Sequence, residues 1–187
     1  MIHVLNIGSR RCKSVLKDAE EIRLDCDPDV KPDILGDICD PNIVIKDSYD
    51  CVWCSHVLEH LYEHQISYVL DKIHSVLNSD GVLILSVPDI ASVVKQMVSK
   101  NLELSDVLYQ SQIGPIRVLD VFYGLQSEIK KGKVAYTHKM GFDYKSIKKI
   151  LMDKFAEVYI RRVNYEICTV SCVTKLPLWA NQFMKGL

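Results

Sequence analysis

The chain has almost no surplus of charge: 23 basic residues against 24 acidic ones leave a formal net charge of −1. That balance offers no electrostatic footprint for a nucleic-acid duplex or an anionic membrane, so partners of those two kinds are not expected. The short run Lys145, Lys148 and Lys149 reads as the solvated face of a helix. No stretch approaches the roughly 18 apolar residues that span a bilayer, and Met1 leads directly into a strand pattern rather than a basic-then-apolar leader. The expected location is the cytoplasm. Seven cysteines, an odd number scattered along the chain, read as reduced thiols and not as a disulfide framework. Cys51 and Cys54 have redox-motif spacing, but positions three apart on a strand point to opposite faces. Glycine is scarce, and Gly8 alone occupies the turn after the first apolar run, where a dinucleotide fingerprint needs three glycines. Internal repeats, low-complexity tracts and long linkers are also missing. A single domain over residues 1–187 is therefore expected, long enough to bury a core without disulfides or metal.

What is present is an ordered series of strands and helices. Residues 2–7 and 21–25 suit buried parallel strands, with a short amphipathic helix at most over Arg10–Lys17 between them. Asp33–Asp37 suits a third strand and Asp50–Ser55 a fourth. Pro41 reduces the intervening segment to a turn. From Tyr62 to Leu77 the apolar residues Ile66, Val69, Leu70, Ile73, Val76 and Leu77 recur at helical intervals. Asn78–Gly81 reads as a turn, Val82–Val87 as the fifth strand, and Ile90, Val93, Val94 and Met97 as the face of another helix. Residues 101–141, interrupted by Gly114, Gly124, Gly132 and Gly141, read as an insertion over the carboxyl ends of the strands. Asp143 is placed to cap a helix running to Lys154. Glu157–Val163 and Glu166–Thr174 then pair as a hairpin. The fold class is α/β: a Rossmann-like three-layer sandwich with a mostly parallel seven-stranded sheet that ends in an antiparallel hairpin.

The apolar strand and turn Met1–Arg10, the Ile22-Arg-Leu-Asp25 strand end, Pro32–Asp37, Tyr49–His60 and Val76–Asp89 together resemble the class I S-adenosylmethionine-dependent methyltransferases. The likeness is clearest over residues 1 to about 90, to a subgroup with a Leu-Asn-Ile-Gly-Ser turn and a Ser-His-Val-Leu-Glu-His motif. It implies S-adenosyl-L-methionine as cofactor, with Asn6, Gly8, Asp25, Cys26, Asp37, Ile38 and Ser55 around it. Asp25 would accept hydrogen bonds from both ribose hydroxyls, Asp37 would hold the adenine amino group and Ile38 would flank the ring. The family would place glycines at Arg10 and Cys12 and commonly an acidic residue at Asn6; this chain departs at all three. Asp27, before Pro28, reads as a turn former.

His56 and His138 are the candidate catalytic residues, as bases toward a hydroxyl acceptor, and Tyr123 and Gln126 are candidate substrate contacts from the insertion. Glu59 and His60 read as capping or packing the next helix. His56-x-x-Glu59-His60 also matches the signature of one class of zinc peptidases. His56 directly follows a strand, however, so the two histidines need not share a helical face, and no metal is expected. The expected function is methyl transfer to a small-molecule or glycan acceptor. A catalytically inactive, methyltransferase-like binding module is the alternative, motivated by Arg10, Cys12 and the lost helix before the fourth strand. The apolar tail Leu176–Leu187 suits packing either on the body of the protein or on a second subunit.

Overall fold

The computed structural model describes residues 1–10, 14, 16, 19–45, 48–111 and 113–184. Cys12 and most of the Arg10–Lys17 segment expected as a helix lie outside them. The first strand, β1 (Ile2–Ile7), pairs in parallel with β2 (Ala19–Asp25) on one side and β4 (Tyr49–Ser55) on the other. A strand flanked on both edges and covered on both faces is predominantly apolar, and Val4, Leu5 and Ile7 are buried together with Asn6, whose amide donates to Glu21 at 3.3 Å. The third strand, β3, is only Ile34–Leu35, shorter than expected. The chain leaves the sheet there because the Asp37 carboxylate accepts the main-chain N–H of Cys39 at 2.8 Å, an Asx turn. β5 (Leu77–Pro88) starts earlier than expected. Tyr49 pairs with Leu77 and Cys51 with Val82, so Asn78–Gly81 forms an irregularity within the strand rather than a turn before it. The Asn78 amide pins it by donating to Asp50 at 2.8 Å.

Helix α1 (Glu63–Val76) buries Ile66, Val69, Leu70, Ile73 and Val76, the stripe anticipated from their spacing. Helix α2 (Ile90–Lys100) buries Val93 against the insertion rather than against the sheet. The insertion has structure of its own: a hairpin of β6 (Val107–Ser111) and β7 (Gly114–Arg117), then α3 (Val118–Tyr123) and α4 (Gln126–Ile129). Ile116, Val118 and Val121 join Val93 in a small separate core.

Helix α5 (Tyr144–Met152) is capped by Asp143, whose carboxylate accepts the N–H of Ser146 at 2.8 Å. It leads into the antiparallel hairpin of β8 (Glu157–Val163) and β9 (Glu166–Cys172). The seven-stranded sheet runs β3-β2-β1-β4-β5-β9-β8, with only β9 running against the rest, so that its ladders to β5 and to β8 are antiparallel. The main core lies between one sheet face and α1 and α5. On the other face, Val4, Cys51, Val82, Val170 and Cys172 are covered by Leu16, Ala180 and a 3-10 turn at Leu178–Met184. Phe183 lies 6.1 Å from the Trp53 ring, so the apolar tail packs on the protein's own body. Cys51 and Cys54 belong to opposite cores, as strand alternation requires. Among the described residues no helix is long and apolar enough to cross a membrane.

Candidate functional site

The strand order reverses between β1 and β4, and in open α/β sheets such a reversal opens a crevice at the carboxyl ends of the strands. A cleft of about 650 Å³ lies there, within the roughly 300–1,000 Å³ common for small-molecule sites. Asn6, Gly8, Asp25, Cys26, Asp37, Ile38, Ser55, His56 and His138 all line it. Gly8 has φ +64°, and a Cβ there would sit 2.5 Å from Val57, so only glycine permits this turn. Its N–H bonds Leu24 O at 2.8 Å, which carries β1 toward the end of β2. There Asp25 is 6% exposed, and its two carboxylate oxygens accept the N–H groups of Arg10 and Asp27, each at 2.9 Å. A carboxylate has roughly four acceptor positions, so these bonds orient the group and leave capacity for a ligand. Arg10, in the left-handed region at φ +50°, carries its guanidinium 4.3 Å above the Tyr136 ring of the insertion. Burial and the Asp25 and Asp37 carboxylates push the Cys26 thiol up, keeping it protonated beside them.

The turn after β4 carries a second group of polar side chains. Ser55 and Ser86, on neighbouring strands, share a hydrogen bond of 2.6 Å between hydroxyls. His56 turns the chain at φ +55°, a conformation rare for a residue with a Cβ and often kept at functional sites. Its ring bridges two carboxylates, with Nδ1 3.0 Å from Glu59 and Nε2 3.2 Å from Glu166. Burial opposes charging of the ring, but the two carboxylate bonds outweigh it and raise the pKa to about 10. His56 is thus an imidazolium at neutral pH with both nitrogens engaged, which argues against the role of base expected from the sequence. Glu59 is 1% exposed; burial raises its pKa, and the contact with His56 reverses that and holds it lowered. It does not cap α1, contrary to the expectation, but faces the cleft. Burial also keeps His60 neutral, lowering its pKa.

The insertion roofs the cleft, but not with the residues chosen from sequence. Tyr123 is 55% exposed and lies outside the lining, and Gln126 folds back to donate to Gly124 O at 3.0 Å. Tyr109, Ile116, Asp120, Val121, Tyr136 and His138 line it instead. Tyr109 stacks on Tyr165 with ring centroids 5.4 Å apart, making an aromatic wall. Sequence reasoning passed over Glu166, Tyr165 and Tyr109 because their nearness depends on β6 crossing to the β8–β9 turn. The roof is fastened to the end of the cleft beside β2 by Lys133, 2.7 Å from Asp27 and 2.9 Å from Asp29. Asp27 thus both caps the 3-10 turn Pro28–Val30 and anchors the insertion. Gly124, at φ +92°, is the tight point of the roof, since a Cβ there would come 1.9 Å from Tyr136 O. Gly124→Ala is expected to destabilise the insertion by at least ~1–3 kcal/mol. Limited proteolysis should cut residues 101–141 faster in this variant; unchanged cleavage and melting would refute it.

Residues 10–85 match the family model described as a methyltransferase domain. A search of curated proteins finds no match. Among solved structures, the chain is similar to the Burkholderia thailandensis 1,6-didemethyltoxoflavin-N1-methyltransferase with bound 1,6-didemethyltoxoflavin and S-adenosylhomocysteine. That likeness has a TM-score of 0.58 at 13% identity, covering 93% of this chain and 72% of that one. It is also similar to the DhpI–SAM–HEP complex, with TM-score 0.58, 15% identity and coverage of 91% and 77%. A third likeness is to the PH0226 protein of Pyrococcus horikoshii OT3, with TM-score 0.57, 13% identity and coverage of 91% and 81%. These likenesses show a shared fold, a Rossmann-like sandwich around a mostly parallel seven-stranded sheet, and residues 10–85 match the methyltransferase-domain model.

Proposed function

We propose that this protein transfers a methyl group from S-adenosyl-L-methionine to a small-molecule acceptor. The observation that carries this reading is the meeting of Gly8 and Asp25 at the strand-order reversal, in a cleft the insertion roofs. A covered cleft suits a small acceptor better than a macromolecular one. Its aromatic wall and the apolar Ile116 and Val121 favour an acceptor with an apolar body over a glycan.

When bound, the cofactor supplies a methyl group on a sulfonium, an activated carbon for in-line displacement. Asp25, already oriented by two N–H donors, would hold the ribose hydroxyls. Cys26, Asp37 and the buried Ile38 line the cleft where they would flank the adenine, and the Gly8 turn, Asn6 and Ser55 would hold the rest of the cofactor. The Arg10 guanidinium, resting on Tyr136, suits the cofactor's carboxylate. His56, already protonated, orients Glu59 and Glu166, and His138 stands with Glu59 and His60 where the acceptor enters. The protein's part is chiefly alignment and exclusion of water. An inactive binding module has no observation of its own in its favour.

Titration calorimetry with S-adenosylhomocysteine is expected to show saturable binding of about one ligand per chain. No heat at millimolar ligand would reject the proposal.

A further inference from the structure

Glu59, His60 and His138 converge at the acceptor end of the cleft, each offering a ligand atom within 4.8 Å of those of the other two. We propose that this trio is a divalent-cation site. It would take a first-row transition metal on two imidazoles and one carboxylate, leaving positions open for an acceptor hydroxyl.

Two independent observations support the site. First, Glu59 Oε2 is buried and has no hydrogen-bond partner among the described residues. A carboxylate oxygen withdrawn from water and left without a donor is strongly unfavourable, and a cation removes that penalty. The other oxygen, Oε1, is held by His56 at 3.0 Å, which aims the carboxylate. Second, both histidines are oriented through the same nitrogen. His60 Nδ1 lies 3.1 Å from Thr137 O, and His138 Nδ1 lies 2.8 Å from Val121 O. A carbonyl only accepts, so both rings carry the proton on Nδ1 and present a basic Nε2, with no hydrogen-bond partner for it among the described residues. Imidazole N–H bonded to a carbonyl is the usual outer support of a metal-binding histidine.

The insertion is what completes the trio. Lys139 and Met140 donate their N–H groups to Glu59 O at 2.8 and 3.1 Å, so the loop bearing His138 is clamped to the turn bearing Glu59. Ligand atoms about 2.1 Å from one ion sit roughly 3–3.5 Å apart, and side-chain rotation spans the difference. Imidazole and carboxylate together suit zinc, manganese or iron rather than calcium.

The role assigned to the ion rests on the methyltransferase reading, while the existence of the site does not. An acceptor hydroxyl on an open position is acidified by the ion and releases its proton to solvent. The oxygen's electron pair then forms the bond to the methyl carbon, the carbon–sulfur bond breaks, and its pair stays on sulfur as a neutral thioether. This narrows the acceptor to an ionisable hydroxyl, such as a phenol.

The test is calorimetric titration of the chelator-treated full-length protein with Zn²⁺ and with Mn²⁺ alone, and separately with S-adenosylhomocysteine. About one ion per chain is expected. His138→Ala and Glu59→Gln should each weaken binding at least ~100-fold, beyond the ~10–100-fold typical of outer partners. His138 lies in the insertion and not in either sheet core, so its variant keeps the fold; unchanged far-ultraviolet circular dichroism checks this. Substitution with Co²⁺ should give visible absorption bands that His138→Ala abolishes. No ion bound at millimolar metal, or equal affinity in His138→Ala, overturns the site. Binding of S-adenosylhomocysteine together with no binding of either ion overturns the site alone; binding of an ion together with no binding of S-adenosylhomocysteine supports the site and overturns the methyltransferase reading.

Discussion

Replacing Asp25 by alanine is expected to weaken S-adenosylhomocysteine binding by roughly 10²- to 10⁴-fold. Two hydrogen bonds to a charged acceptor contribute about 1.5–3 kcal/mol each, and about 1.4 kcal/mol is a factor of ten in affinity. The variant also removes the acceptor of the Arg10 and Asp27 N–H groups, so the turns after β1 and β2 lose their tie. Asp25→Asn keeps one acceptor oxygen and should fall between the two proteins. Calorimetry measures the difference, with thermal melting to confirm that the sheet is intact. An alanine variant that binds within threefold of the parent would remove Asp25 from the site.

Truncation of Phe142 is expected to be among the costliest core changes. The ring is 1% exposed and belongs to the core between the sheet and α5. Its main chain bridges Asp89, and its carbonyl accepts the N–H of Ile90 at 3.0 Å, joining the end of the insertion to the exit of β5. Phe142→Ala leaves a cavity and should cost about 3–5 kcal/mol, a fall of roughly 6–20 °C in melting temperature for a chain of this length. Denaturant unfolding gives the free energy directly. A loss below about 1 kcal/mol would mean that the neighbouring side chains close the gap.

Legibility differed sharply between the parts of the chain. The strands and α1 could be read because their determinants are local: apolar continuity in β1 and β4, and three- and four-residue spacing in α1. Asp143 was recognisable as a cap for the same reason. The length of β3 and the irregularity in β5 were not legible, since the first depends on where Asp37 turns the chain and the second on the register of Tyr49 against Leu77. At the site, Gly8 and Asp25 were visible because each stands at the end of an apolar strand. His56 was found as a residue but not in its state. Its charge is held by Glu59, three residues on, together with Glu166 from the distant β8–β9 turn, and no local pattern connects the second of these to it. Tyr123 and Gln126 were chosen for chemical type in a loop, and type alone does not say which side of a loop faces inward.

The order of apolar runs, turn residues and acidic strand ends was enough by itself to determine an α/β sheet closed by a hairpin and to bring Gly8 and Asp25 to one end of its crevice. Those features follow from periodicity and from where a chain can turn, and each is set within about ten residues. The opposite end of the crevice was decided only by tertiary structure. There the insertion brings His138 to Glu59 and His60, and the β8–β9 turn brings Glu166 to His56. Burial, charge state and the aim of a side chain are properties of the assembled surroundings, and they arise only when distant segments exclude water together.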